Sequence, residues 1–165
     1  MVRIVPIALD HAPAFRLAVD AVAREGGALA GTEAPPDDRV HAFVAGNIAA
    51  GNPQFVALDG DRVVGWCDIL RRGGLRAHCG TLGMGVLRDH RRRGLGRDLL
   101  RRTLDAARAA GIERVELTVR ASNAPARRLY EAEGFTAEGR FRGDICTERG
   151  REDSIPMALD LTASS

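Results

Sequence analysis

The sequence predicts a mixed α/β fold, a central sheet of mixed strand direction with helices on both faces. Three observations predict it. Strand-like and helix-like hydrophobic periods alternate along the chain, which calls for helices layered on a sheet. Residues 81–104, TLGMGVLRDHRRRGLGRDLLRRTL, join a short apolar run to an amphipathic segment through a glycine turn. A second strand, turn and helix follow in residues 114–135.

Each element has a local reason. Residues 3–9 read as a first strand. Asp10 can cap a helix running to about residue 24, with Phe15, Val19 and Val22 on one face. Residues 26–36 are a loop rich in Gly, Ala and Pro. Asp37 or Asp38 then caps a second helix carrying Val40, Phe43, Val44 and Ile48. Residues 54–58 and 62–70 flank Asp59-Gly60-Asp61, a hairpin signal. After a turn at 71–74, residues 78–87 return as the next strand. Leu95, Leu99, Leu100, Leu104 and Ala107 form one helical stripe, with Arg97, Asp98, Arg101, Arg102 and Asp105 on the other side. RVELTVR, at 114–120, alternates like a strand. Asn123 opens a short helix, with Pro125 in its first turn and Gly134 at its end. A last strand pair falls at about 135–141 and 153–161.

Composition excludes several classes. A chain of 165 residues with 45% hydrophobic content can bury a proper core in one domain. Its longest apolar runs are too short for a bilayer, and Asp10 and His11 interrupt the N-terminal apolar stretch, so neither a membrane span nor a signal peptide is expected. A net charge of +2 does not suggest nucleic acid as the main partner. Cys67, Cys79 and Cys146 fit no zinc spacing and no disulfide framework. No metal is expected, and reduced thiols suit a cytoplasmic protein.

The turn at 91–96 carries the first chemical signal. The opening N–H groups of a helix lack internal partners and sit at the positive end of its dipole. Glycine lets a phosphate approach them closely, and Arg91, Arg92 and Arg93 add fixed charge. A P-loop would need lysine, and this chain has none. A dinucleotide fingerprint would need glycine where Leu99 stands. What remains, Arg91-Arg92-Arg93-Gly94-Leu95-Gly96, resembles the R/Q-x-x-G-x-G/A motif of the GNAT family of N-acetyltransferases. The stretch from Ser122 to Phe135, SNAPARRLYEAEGF, is similar to that family's second signature. Both occur in the family's order, and the resemblance covers residues 63–159.

The resemblance implies one N-acetyltransferase domain over residues 1–165, with acetyl-coenzyme A as co-substrate and no metal. It implies that the loop at Arg91, Arg92, Arg93, Gly94, Leu95 and Gly96 holds the pyrophosphate. It also implies that the preceding strand splays from its neighbour, so that Met84 and Val86 meet the pantetheine, with a further contact at Asn123. The run HCGTLGMGV…ELTVRASNAPARRLYEAEGF resembles bacterial members that acetylate free amino acids, antibiotics or small amines, so a small-molecule primary amine, such as an amino acid or amino-containing antibiotic, is the expected acceptor. Protein N-termini or lysines, and a non-catalytic coenzyme A-binding role, are the alternatives. A homodimer is compatible with the sequence.

Acetyl transfer needs a neutral amine, a donor for the oxyanion and a proton for the departing thiolate. Tyr130, the one tyrosine, is the candidate acid, set against a core aromatic whose hydroxyl is tied to the backbone. The histone-modifying branch carries a glutamate six positions before the residue matching Val86. Gly80 stands there, so that base is absent. His78, Asp68 and Glu33 are the remaining candidates. Asp68 and Trp66 share a strand face, where Trp66 can shape an acceptor pocket and Asp68 hold an ammonium. Glu33 lies in the helix–helix loop, a usual place for substrate contacts.

Overall fold

The computed structural model describes residues 1–163. Eight strands form one mixed sheet. In chain order they are β1 (Val2–Pro6), β2 (Gln54–Asp59), β3 (Arg62–Arg71), β4 (Cys79–Val86), β5 (Arg114–Arg120), β6 (Thr136–Ala137), β7 (Phe141–Thr147) and β8 (Gly150–Asp160). The helices are α1 (Ala12–Arg24), α2 (Asp37–Ala50), α3 (Leu95–Ala109) and α4 (Ala124–Ala132). The strands lie in the order β1-β2-β3-β4-β5-β8-β6, with β7 also on β8. Only β4 and β5 run parallel, as a strand–helix–strand crossover through α3 requires.

Each layer follows from its pattern. Leu99, Leu100, Leu104 and Ala107 are buried against the sheet, as the stripe on α3 predicts. Trp66 on β3 meets Phe15 of α1 edge-on at 5.8 Å, so α1 covers the opposite face. α4 lies beside α3, joined by Glu133 to Arg97 at 3.4 Å and Arg101 at 2.9 Å.

Several boundaries differ from the sequence reading. α1 starts after His11, which offers no side-chain cap, and Asp10 sits in a preceding 3-10 turn. α2 is preceded by Pro36, and Asp37 and Asp38 occupy its first turn, where their charge complements the helix dipole. Its buried stripe is Val40, Val44 and Asn47, while Phe43 and Ile48 stay partly exposed. Asn47 is kept inside by a hydrogen bond from its Nδ2 to Gln54 Oε1 at 2.9 Å. The chain end carries three strands, not two. Residues 141–147 form an edge strand whose outer side faces solvent, so they lack a core pattern that sequence could show.

Candidate active site

The sheet forks at its centre. β4 pairs with β5 only where Cys79–Thr81 meet Arg114–Glu116. Beyond that point β4 stays with β3 as far as Val86, and β5 stays with β8 as far as Arg120. Residues 83–86 are consequently half-buried in the middle of an eight-stranded sheet. The Leu87 N–H donates to Val64 O, toward β3. Strand alternation therefore turns the backbone groups of Val86 and Met84 the other way, into the fork. Val86 O accepts from Arg91 Nε at 2.8 Å. The Val86 N–H and both groups of Met84 face a strand that has left, and buried backbone groups of this kind call for a partner.

The phosphate end adjoins the fork. α3 opens on Gly94, at φ 79°, with no side-chain cap. Its first backbone bond runs from the Asp98 N–H to Gly94 O. Among the described residues no acceptor meets the N–H groups of Leu95, Gly96 and Arg97. That leaves a set of donors at the positive end of a helix, suited to a phosphate. A Cβ on Gly96 would stand 3.5 Å from Leu129, 3.7 Å from Met84 and 3.8 Å from Val86, so the helix start and the fork share one wall. The three arginines divide. Arg91 is tied to Val86 O and to Glu25 at 2.8 Å, holding the end of α1 to the turn. Arg92 and Arg93 are exposed, with no ion pair among the described residues. His90, missed in the sequence, is buried and lies 3.0 Å from Asp89 and 3.2 Å from Asp59, fixing the turn to the β2–β3 hairpin. A buried histidine in a charged turn gives no sequence signal.

Two titratable side chains flank the fork from opposite faces. Tyr130, on α4, is buried on the α3 side near Cys67, with its ring 5.7 Å from that of Phe135. Its hydroxyl has no hydrogen bond among the described residues, so the tie to backbone is absent. Burial pushes its pKa up and keeps the phenol protonated. Asp68 follows Cys67 on β3 and so points to the α1 face. It pairs in register with Gly83, where a Cβ would stand 3.3 Å from its Oδ1. β3 lies between β2 and β4, so this carboxylate is not on a sheet edge. Asp68 is 5% exposed, has no hydrogen bond or ion pair among the described residues, and is pushed up to about 7 by burial. It can therefore exchange a proton near neutrality.

Other expected residues fall elsewhere. Trp66 is 4% exposed, and its indole occupies the space that a Gly85 side chain would need, 2.3 Å from the nearest ring carbon. It packs the core rather than an open pocket. Gly80 likewise makes room for Ile69. Two of the β4 glycines thus make room for packing within the sheet. His78 lies exposed beside the paired end of β4, six residues from Met84, or about 20 Å along the strand. The structure does not bring it to the fork. Glu33 is exposed and lies 3.7 Å from Arg24. Its loop is pinned to the open end of β5 by buried Arg120, which donates to Gly26 O at 2.6 Å and Leu29 O at 2.8 Å. Asn123 caps α4, accepting from the Ala126 N–H at 3.3 Å. Among the described residues no His/Cys/Asp/Glu group could hold a metal ion, and no helix is long and apolar enough to cross a membrane.

A forked parallel pair that runs into an uncapped glycine turn is the geometry that the two sequence motifs imply, and the family model for acetyltransferases of the GNAT type matches residues 15–135. The chain belongs to the GNAT acetyltransferase family. A ribosomal-protein alanine N-acetyltransferase of Escherichia coli is 45% identical over 74 residues, which is 45% of this chain and 50% of that protein. The chain thus matches about half the length of that curated relative. An acetyltransferase of the GNAT family from Streptococcus pneumoniae superposes with a TM-score of 0.91 at 22% identity, covering 98% of this chain and 100% of the other. A putative acetyltransferase from Salmonella typhimurium, solved with its cofactor acetyl-CoA, gives 0.91 at 21% identity, covering 100% and 96%. The mixed α/β sheet with helices on both faces is the fold of this GNAT acetyltransferase.

Proposed function

We propose that residues 1–165 form a single, cytoplasmic N-acetyltransferase domain. It transfers acetyl from acetyl-CoA to a primary amine of a small molecule by direct attack in a ternary complex. The observation that carries this reading is the pair of buried side chains, Tyr130 and Asp68, that lack hydrogen-bond partners among the described residues and lie on the two sides of the fork. The unpaired N–H groups of Leu95 and Gly96, with Arg92 and Arg93, would hold the pyrophosphate. The free backbone groups of Met84 and Val86 would pair with the pantetheine, and Asn123 would line its path.

Bound side by side, the reactants need no covalent enzyme intermediate. Asp68 takes a proton from the ammonium of the acceptor. The amine nitrogen then bonds to the thioester carbon, and a free N–H on the open edge of β4 faces the developing oxyanion. The carbon–sulfur bond breaks, the sulfur leaves as thiolate, and it takes the proton of Tyr130. The proton shed by the new amide nitrogen restores the phenol. A thiol-release assay against a panel of small amines and N-terminal peptides tests the proposal. Release with small amines supports it, and release with peptides alone would move the chain to protein acetylation, the reaction named for its Escherichia coli relative.

A further inference from the structure

Three side-chain amides near the C-terminal end of α2 form a one-way chain of hydrogen bonds. The Arg71 N–H donates to Asn52 Oδ1 at 3.2 Å. Asn52 Nδ2 donates to Asn47 Oδ1 at 3.2 Å, and Asn47 Nδ2 donates to Gln54 Oε1 at 2.9 Å. The chain starts on a backbone N–H, which can only donate, so the orientation of each amide after it is fixed. Asn52 must offer its nitrogen, Asn47 must accept with its oxygen, and Gln54 must do the same. Gln54 Nε2 is left over as a donor. It is buried and has no partner among the described residues. A buried donor left unbonded is costly, so it calls for an acceptor.

Asp68 stands opposite that donor. Gln54 pairs with Asp68 in the register of β2 and β3, so both side chains leave the sheet on the same face. Directly opposed residues have Cβ atoms about 5 Å apart, within reach of a glutamine amide. Gln54 is 4% exposed and Asp68 is 5% exposed. A buried donor and a buried carboxylate, neither with a partner among the described residues, thus sit side by side. The elements packed around them bring few charges. On β4 the neighbour of Asp68 is Gly83. From α1, Phe15 packs on this face, while Arg16, Asp20 and Arg24 are bonded to residues 33–37. From α2 comes Asn47, while Asp37, Asp38, Arg39 and His41 are exposed. The 3-10 turn at residues 9–11 adds exposed Asp10 and half-buried His11, whose Nδ1 accepts from the Ala8 N–H at 3.0 Å. An N–H donor favours a carboxylate in its charged form, where the bond is charge-assisted.

We propose that Gln54 is the positioning residue of Asp68: its amide N–H binds the carboxylate when Asp68 ionises, and Asn47 and Asn52 lock the amide in the donating sense. The part of Asp68 in the reaction rests on the acetyltransferase reading above; the contact itself does not. Carbon-13 NMR of the aspartate carboxyls reads the contact directly. The variants are Gln54→Met, which keeps the length and removes the donor, and Asn47→Ala, which frees the amide to turn. The Asp68 carboxyl midpoint should rise by roughly one pH unit in Gln54→Met, and by part of that in Asn47→Ala. In the wild type the Gln54 side-chain amide protons should shift with the same midpoint as the Asp68 carbon, a reading that needs no variant to fold. Amide protons that ignore that titration, or an unmoved midpoint in folded Gln54→Met, would overturn the contact. A merely structural Gln54 would change Tm and leave both readings as they were. With an amine acceptor, the pH limb of kcat should move by the same amount, with KM for acetyl-CoA unchanged. A carbon midpoint that moves while the kinetic limb stays overturns the positioning role. Absence of turnover with every amine sinks the acetyltransferase reading alone, and the two NMR readings still decide the contact.

Discussion

Replacing Asp68 by Asn removes a charge that the fold resists and that the reaction needs, so stability and activity should move in opposite directions. Burial raises the Asp68 pKa from the ordinary 3.8 to about 7. Between those values the native protein holds a proton that the unfolded chain has lost. Stability therefore falls as pH rises through this window, by about 1.4 kcal/mol per pH unit. The sum is about 4 kcal/mol, present as a cost above pH 7 and absent below pH 4. Asn keeps the shape and cannot ionise. At pH 8 the variant should be more stable by up to roughly that amount, a rise in Tm of as much as about 10 °C for a domain of this size. At pH 4 the two should melt together. Calorimetric melting of both proteins from pH 4 to 8 gives the difference curve, in which groups common to both cancel. Kinetics supply the opposite sign. The wild-type rate at saturating acetyl-CoA should rise through a pKa near 7 and level off. The variant should lose that limb, with kcat lower by roughly 10²-fold or more. If Asp68 only anchors the ammonium, KM rises instead and kcat is kept. Parallel melting curves at every pH would show that Asp68 carries no burial cost and refute the reasoning.

Three further outcomes are expected. Tyr130→Phe should lower kcat by roughly 10²-fold or more with acetyl-CoA binding and Tm barely changed, because the hydroxyl has no internal partner to lose; a drop below threefold in steady-state kinetics would make Tyr130 structural. Gly94→Glu should weaken acetyl-CoA binding in calorimetry through contact and like charge. A Cβ there meets no protein atom within 4 Å, so folding should suffer only the roughly 1–2 kcal/mol strain of its positive φ, and unchanged affinity would sink the phosphate site. Gly85→Ala should destabilise by roughly 1–3 kcal/mol in urea titration, since its methyl would strike the Trp66 ring, and adding Trp66→Phe should recover part of that loss.

Sequence by itself determined what depends on neighbours along the chain. The α3 stripe, the Asn123 cap and the uncapped glycine turn at 94–96 are local, set by periodicity and by φ, so they were legible without a fold. Family and fold followed from two such motifs in the right order. β7 was not legible, because an edge strand buries too little to impose a pattern. The rest of the site was decided by pairing across the sheet. Trp66 and Asp68 share a strand face, yet one became packed core and the other a buried carboxylate with no partner among the described residues. Their partners in β4 differ, Gly85 being filled by the indole and Gly83 leaving the carboxylate beside the fork. Arg91 looked like its two neighbours until tertiary contact gave it Glu25, 66 residues away. His78 and Tyr130 were candidates for opposite proton transfers, and the fold separated them: His78 lies beside the paired end of β4, far from the fork, while α4 brings Tyr130 to it. Burial and proximity are properties of the folded whole, and a carboxylate acquires its pKa from them rather than from its place in the chain.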